Sequence, residues 1–251
     1  MKIAILIPSR ERMNNRLTLL MSILTTVKNI NNVTVYFGVD EDDPTLSTIE
    51  KVSDAIPCLR VIRIKNEQKF LGLGKLWNIL AKECEEEIIS MIGDDMVFKT
   101  LNWDEMLLED FMNNMPEDKI YAIHCNDDCH GSKLAVNLFC HRQYVNVVGN
   151  FMREEFKINW VDRWLHQMFN AFNRLKYRGD IMIEHRHWVL GKNKKDKTAE
   201  RMAVADNNKI SDKLWYSLVR ERISDVKKIS AYLKQEPDWG RVDTGKENIY
   251  E

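Results

Sequence analysis

Four short apolar runs recur through the first 92 residues, and segments with helical periodicity separate them. The runs are KIAILIP (2–8), VTVYFGV (33–39), LRVIRI (59–64) and IISMI (88–92). Between them lie NNRLTLLMSILTTVKNI, TLSTIEKVSDAI and GKLWNILAKECEEE. Unbroken apolar runs rich in β-branched residues read as strands covered on both faces, not as half-exposed ones. Strands alternating with helices of this length predict βαβ units with right-handed crossovers: an α/β fold with a mainly parallel central sheet flanked by helices.

The pattern changes after residue 98. WDEMLLEDFMNNM reads as a helix, IYAIH as a short strand, and LAVNLFCHR as a further apolar segment. RQYVNVVGNF and INWVDRWLHQMFNAFNRL read as helices, and DIMIEH as a last strand before the basic stretch WVLGKNKKDKTAERM. KISDKLWYSLVRERISDVKKISAYLKQ predicts a helical C-terminal extension, and residues 237–251 a loosely packed tail. The expected organisation is one domain over 1–236. Residues 1–100 form a nucleotide-binding half, 101–198 an acceptor half, and 199–236 the helical extension.

With 44% hydrophobic and 30% charged residues, the 251-residue chain has the composition of a soluble globular protein. Its formal net charge of −1 gives the whole molecule no electrostatic preference for nucleic acid, so such binding would need a local patch. No apolar stretch reaches membrane-span length, and the N-terminus lacks a signal-peptide cleavage site. Cys58, Cys84, Cys125, Cys129 and Cys140 are scattered and odd in number, as expected of reduced thiols in a cytoplasmic protein. HCNDDCH (124–130) suggests zinc, yet no second Cys/His pair with finger spacing completes a set.

In a parallel sheet the strand ends share one edge, where ligands bind. That edge would carry Pro8, Ser9 and Arg10, with Arg12 and Arg16 close behind, then Asp40, then Asp94 and Asp95 after Gly93. Arginines supply forked donors to phosphate, and Asp40 can accept from a base or ribose. An aspartate pair invites a divalent cation against phosphate oxygens. Together these residues describe a nucleoside-diphosphate site with bound metal.

The order IPSR, FGVDEDDP, GLGKLWNILA, MIGDDMVFKTLNWDEML resembles the GT-A fold glycosyltransferases, particularly the family-2-like enzymes of bacteria and their phages. The resemblance covers roughly residues 3 to 110 and reaches residue 198 more weakly. It implies a Rossmann-like GT-A domain using a nucleotide-sugar donor, UDP-sugar foremost, with Mn²⁺ or Mg²⁺. Asp40 would read the base, while Gly74, Lys75 and Asn78 would approach the nucleotide. Asp95 would be the metal ligand, with Asp94 near the ribose. Thr100 and the pair Trp103-Asp104 strengthen the match. Gly93 departs from it, standing where the first aspartate of Asp-x-Asp often stands.

Similar enzymes that invert configuration need a base for the acceptor hydroxyl. Asp162 fits, flanked by Trp160 and Trp164, which would stack on an acceptor or else pack a helix into the core. A histidine often completes the metal site in such enzymes, here His185 or, second, His187. The basic segment with Arg186, Lys192, Lys194, Lys195 and Lys197, together with Asp196 and Thr198, resembles their donor-covering loop. Lys192 and Lys197 would clamp the diphosphate.

Other readings stay open at this level. GDD can serve a polymerase palm, where it sits in an antiparallel hairpin. A binding module for nucleotide or nucleic acid would keep the fold without turnover. The acceptor can be a surface glycan, a protein or, in a phage acting in host cytoplasm, a hydroxymethylated DNA base.

Overall fold

The computed structural model describes residues 1–66, 71–205 and 209–245. Strand β1 (Ile3–Pro8) is flanked by β2 (Val33–Asp40) and β4 (Ile88–Met91), and β3 (Leu59–Ile64) lies beyond β2, all parallel. The connecting helices are α1 (Met13–Thr26), α2 (Leu46–Ala55) and α3 (Leu73–Glu83). Alternate residues of β1 enter different cores, as the two-residue period of a strand requires. Ala4 and Leu6 pack with Trp77 and Leu80 of α3, whereas Ile3, Ile5 and Ile7 pack with Leu19, Leu20 and Ile23 of α1. Cover on both faces explains why the run is apolar without alternation.

The second half extends the same sheet. Strand β7 (Leu138–His141) pairs antiparallel with β4 and with β6 (Ala122–Asn126), and β6 pairs parallel with β8 (Leu175–His185). The last strand, β5 (Met96–Phe98), pairs antiparallel with the end of β8, giving the order β3-β2-β1-β4-β7-β6-β8-β5. The first four strands are thus all parallel, whereas the second half mixes the parallel β6–β8 pair with antiparallel pairs. Sequence periodicity does not anticipate β5, because three residues are too few to display a period. Its side chains are buried, and Phe98 packs 4.6 Å from Trp103 at the start of α4 (Trp103–Asn114).

Several expected boundaries move. β8 begins at Leu175 instead of residue 180, because the helix before it, α6 (Val161–Asn170), ends earlier than the apolar pattern suggests. Helix α5 (Gln143–Val148) stops at Gly149, whose φ of 102° is a left-handed cap. The basic stretch contains an unanticipated helix, α7 (Lys197–Ala205), and the extension divides into α8 (Ile210–Ser217) and α9 (Val219–Leu233). Val226 and Ile229 of α9 share a core with Leu6 and Trp77, so the extension is built onto the sheet layer.

Residues 237–245 of the expected loose tail are packed instead. Val242 is buried, the Asp243 carboxylate accepts from Trp215 Nε1 at 2.8 Å, and its carbonyl accepts from Arg222 Nε at 2.6 Å. Arg222 is itself enclosed over the Trp215 ring, 4.0 Å from its centroid. A buried guanidinium needs acceptors, and the tail supplies one. Residues 246–251 lie outside the described residues. Among the described residues no helix is long and apolar enough to cross a membrane.

Candidate active site

The ends of β1, β2, β4 and β8, with the starts of α6 and α7, surround a cleft of about 1730 Å³. Pro8, Ser9, Arg10, Asp40, Asp94, Asp95, Asp162, His185 and Lys197 all line it. The topology thus brings most of the sequence-derived candidates to one place.

On the β1 side, Ser9 Oγ donates to Asp94 Oδ2 at 2.6 Å, and Arg12 donates to Asp94 Oδ1 at 2.7 Å. Both oxygens of Asp94 are thereby engaged. Burial and the neighbouring Asp95 charge push its pKa up, against the pull of Arg12 and Ser9. Arg10 donates to Asp40 Oδ2 at 2.6 Å and also holds Asp42, and Asn66 reaches the same Asp40 oxygen at 3.4 Å. Arg12 continues across the cleft rim, binding both oxygens of Asp196 at 2.8 and 3.0 Å.

Asp95 faces His185, with Oδ1 and Nε2 3.4 Å apart. The cause is register: Met96 of β5 is the partner of His185 in β8, and the Arg186 N–H donates to the Asp95 carbonyl at 2.8 Å. Gly93 makes room, since a Cβ there would lie 2.9 Å from Asp95 Oδ1. Burial raises Asp95, but the contact and charge of His185, with Arg12 and His187, outweigh it and hold the carboxyl below its usual range. His185 is lowered by burial but raised overall by Asp95 and, at longer range, by Asp127 and Asp162. The His187 ring centroid lies 5.3 Å from that of His185.

A divalent cation fits this pair. The 3.4 Å gap is long for a hydrogen bond and near the ~3 Å between adjacent donors of an octahedral ion. A carboxylate with one imidazole suits Mn²⁺ or Mg²⁺ and leaves other positions for phosphate and water. Among the described residues His185 Nδ1 is buried without a hydrogen-bond partner, so no acceptor there fixes the ring in another orientation.

Across the cleft, Asp162 stands in the first turn of α6, after Trp160 in a left-handed conformation (φ 77°). Burial pushes its carboxyl up, with the Arg163 N–H, His130 and His185 pulling the other way. Trp160 stacks on Trp215, their centroids 5.1 Å apart, and also lines the cleft. Trp164 is 2% exposed and belongs to the core.

Other candidates lie elsewhere. Asn78 is buried, and its Oδ1 accepts from the N–H groups of Phe151 and Met152 at 3.0 and 2.8 Å. Its Nδ2 donates to the Met152 carbonyl and to Glu154. Asn78 therefore docks the 151–158 loop onto α3 and is not among the residues that line the cleft. Gly74 serves the same contact, because a Cβ there would lie 2.1 Å from the Arg153 carbonyl oxygen. Lys75 is exposed and outside the cleft wall, and Lys192 is paired with Asp128 at 2.6 Å. Arg16 is fully buried, bridging Asp43, Thr45 and Ser9. Asp104 accepts from the N–H groups of Lys28 and Asn29, and Thr100 from that of Met182. These are positioning contacts.

No family model and no curated protein sequence matches the chain. Solved structures do. S. aureus TarS 1–349 in complex with UDP has a TM-score of 0.58 at 15% identity, covering 73% of this chain and 59% of TarS 1–349. The Pyrobaculum calidifontis mannosyltransferase PcManGT with GDP-Man and Mn²⁺ gives 0.58 at 10% identity, over 93% of this chain and 74% of that one. GalNAc-T7 with UDP, GalNAc and Mn²⁺ gives 0.59 at 10% identity, over 73% and 43%. The chain has the GT-A fold. It spans about three fifths of the TarS fragment it matches.

Within this GT-A fold, sequence reading misses part of the cleft wall. His166 and Gln167 line the cleft one turn beyond Asp162. The signal for His166 is its i, i+4 spacing from Asp162 on one helix face. Asp127, whose carbonyl accepts from the His185 N–H at 3.0 Å, was hidden within a motif read only for zinc.

Proposed function

We propose that this chain is a glycosyltransferase that moves a sugar from a nucleotide-sugar donor to an acceptor hydroxyl. The observation that carries the reading is the β5–β8 pairing, which sets Asp95 against His185 in a cleft shared with Asp40, Arg10 and Asp162. Structural neighbours in complex with UDP or with GDP-Man, two of them with Mn²⁺, support it.

In this reading Asp40 receives the base of the donor, with UDP-sugar the first choice. Asp95 and His185 hold Mn²⁺ or Mg²⁺, which would offset charge on the departing diphosphate. Arg12 and Lys197 also line the cleft as further cations. Asp162 takes the acceptor proton as the acceptor oxygen bonds to the anomeric carbon. The bond to the diphosphate breaks, and its electron pair leaves with the nucleotide. A carboxyl raised by burial is better matched to holding that proton than a solvated one.

For the acceptor we favour a glycan or protein hydroxyl over a hydroxymethylated DNA base. A DNA acceptor would call for unpaired cations along the basic segment. Within that segment Arg186 pairs with Glu184 and Lys192 with Asp128, while Lys194, Lys195 and Lys197 are exposed, and the chain as a whole carries a formal net charge of −1. The polymerase-palm reading loses its geometry, because β4 pairs with β1 and β7 while β5 pairs with β8. Incubation with labelled UDP- and GDP-sugars and Mn²⁺ tests the proposal. Metal-dependent release of sugar that Asp95→Ala abolishes supports it, and unchanged release in that variant overturns it.

A further inference from the structure

The sequence HCNDDCH invites a four-ligand zinc site, which the strand register breaks up. His124 and Cys125 lie in β6 and are buried, with His124 against Tyr177 and His166. The loop that follows gathers a different set: Asp127, Cys129 and His130 bring one ligand atom each within 4.8 Å of one another.

The geometry points to a second cation site at Cys129 and His130, for a borderline-soft divalent ion of the zinc class, with Asp127 fixing the imidazole from behind. Asp127 is fully buried, and its carboxylate is saturated. Oδ1 accepts from the N–H groups of His130, Gly131 and Cys129 at 2.8, 3.0 and 3.3 Å. Oδ2 meets His130 Nδ1 at 2.7 Å. A carboxylate on Nδ1 keeps the proton there and leaves the Nε2 lone pair for a metal, as recurs at histidine-ligated zinc. Nε2 lies 3.9 Å from Cys129 Sγ. Zinc bonds of about 2.3 Å to sulfur and 2.1 Å to nitrogen, at a tetrahedral angle, separate the two ligands by ~3.6 Å. An ion is thus accommodated with a shift of a few tenths of an ångström. Cys129 is exposed, so water can complete the coordination.

This pair is separate from Asp95 and His185. It differs in donor chemistry too, since a thiolate selects softer ions than a carboxylate does. Because Asp127 also accepts from the His185 N–H, the loop is tied to the end of β8.

Titration of the full chain with Co²⁺ alone tests the assignment. A thiolate-to-cobalt charge-transfer band should saturate at one equivalent, bleach on adding Zn²⁺, and persist in Asp95→Ala. Cys129→Ser, an exposed conservative change, should abolish the band while leaving the denaturation midpoint in place. Asp127→Asn should weaken Co²⁺ affinity about 10–100-fold. Absence of the band from the parent chain, or its survival in Cys129→Ser, overturns the assignment. Because the Asp95→Ala arm lacks the donor-side ligand, failure here is distinguishable from failure of the glycosyltransferase reading.

Discussion

Asp95 and His185 stand 90 positions apart in sequence, yet Oδ1 of one lies 3.4 Å from Nε2 of the other. Strand β5 makes the connection: three residues after Asp95 pair with the last three of β8, and the Asp95 carbonyl receives the Arg186 N–H. The pair is therefore as rigid as the sheet edge that carries it.

Gly93 protects that geometry. A methyl group would meet Asp95 Oδ1 at 2.9 Å and displace the carboxylate. Gly93→Ala should fold normally but lose about 100-fold in Mn²⁺-dependent turnover, the scale expected for an ångström-level misplacement. Steady-state kinetics across a Mn²⁺ titration, with circular dichroism as the folding control, checks this.

Asn78 should behave as a structural residue. Asn78→Ala orphans the buried N–H groups of Phe151 and Met152, at a cost of about 2–3 kcal/mol. Urea denaturation should show that loss. Nucleotide affinity, measured well below the midpoint, should stay within about twofold of the parent, because a contact worth less than ~0.5 kcal/mol is not a binding contact.

How far the sequence reveals this molecule depends on the range of each interaction. The parallel half was legible because each strand is long enough to show an apolar run and each helix a period. Strand β5 was not, since its stability comes from β8 and from Phe98 against Trp103, partners remote in sequence. At the site, residues at or just beyond strand ends (Ser9, Arg10, Asp40, Asp95, His185) come together as their positions suggested. Asn78 and Lys192 looked equally polar in sequence. Their side chains are spent on the 151–158 loop and on Asp128, which only tertiary structure shows.

The enclosed Arg16–Asp43 pair predicts an acid limb to stability. Burial raises Asp43, but the Glu11 N–H, Arg16 and Thr45 outweigh it and hold the carboxyl down at about 2. An unfolded aspartate titrates near ~3.9. The pair's contribution is therefore fully present above pH ~4 and is lost as pH falls toward 2. Asp43→Asn should lower stability by about 3–5 kcal/mol at neutral pH, since Arg16 stays buried without its counter-charge. The variant should also show a shallower loss between pH 4 and 2 than the parent. Urea midpoints at three pH values measure both effects.

Arg12 links Asp94 to Asp196, and Asp196 in turn caps α7 by accepting from the Ala199 N–H at 2.8 Å. Asp196→Asn keeps the size but removes the charge from both bonds. Amide exchange over 197–205 should accelerate by about tenfold, the equivalent of ~1.4 kcal/mol of local stability, with the β1–β4 amides unchanged. Equal protection in both proteins would show that the Arg12 contact does not hold the helix.

The most direct measurement is calorimetric titration of UDP into the chain with and without Mn²⁺, repeated on Asp95→Ala. Mn²⁺ should tighten UDP binding at least about tenfold in the parent, within the usual range of coupling between two ligands, and have no effect in the variant. Equal UDP affinity with and without Mn²⁺ in the parent, or undiminished coupling in Asp95→Ala, would contradict the assignment of Asp95 as metal ligand.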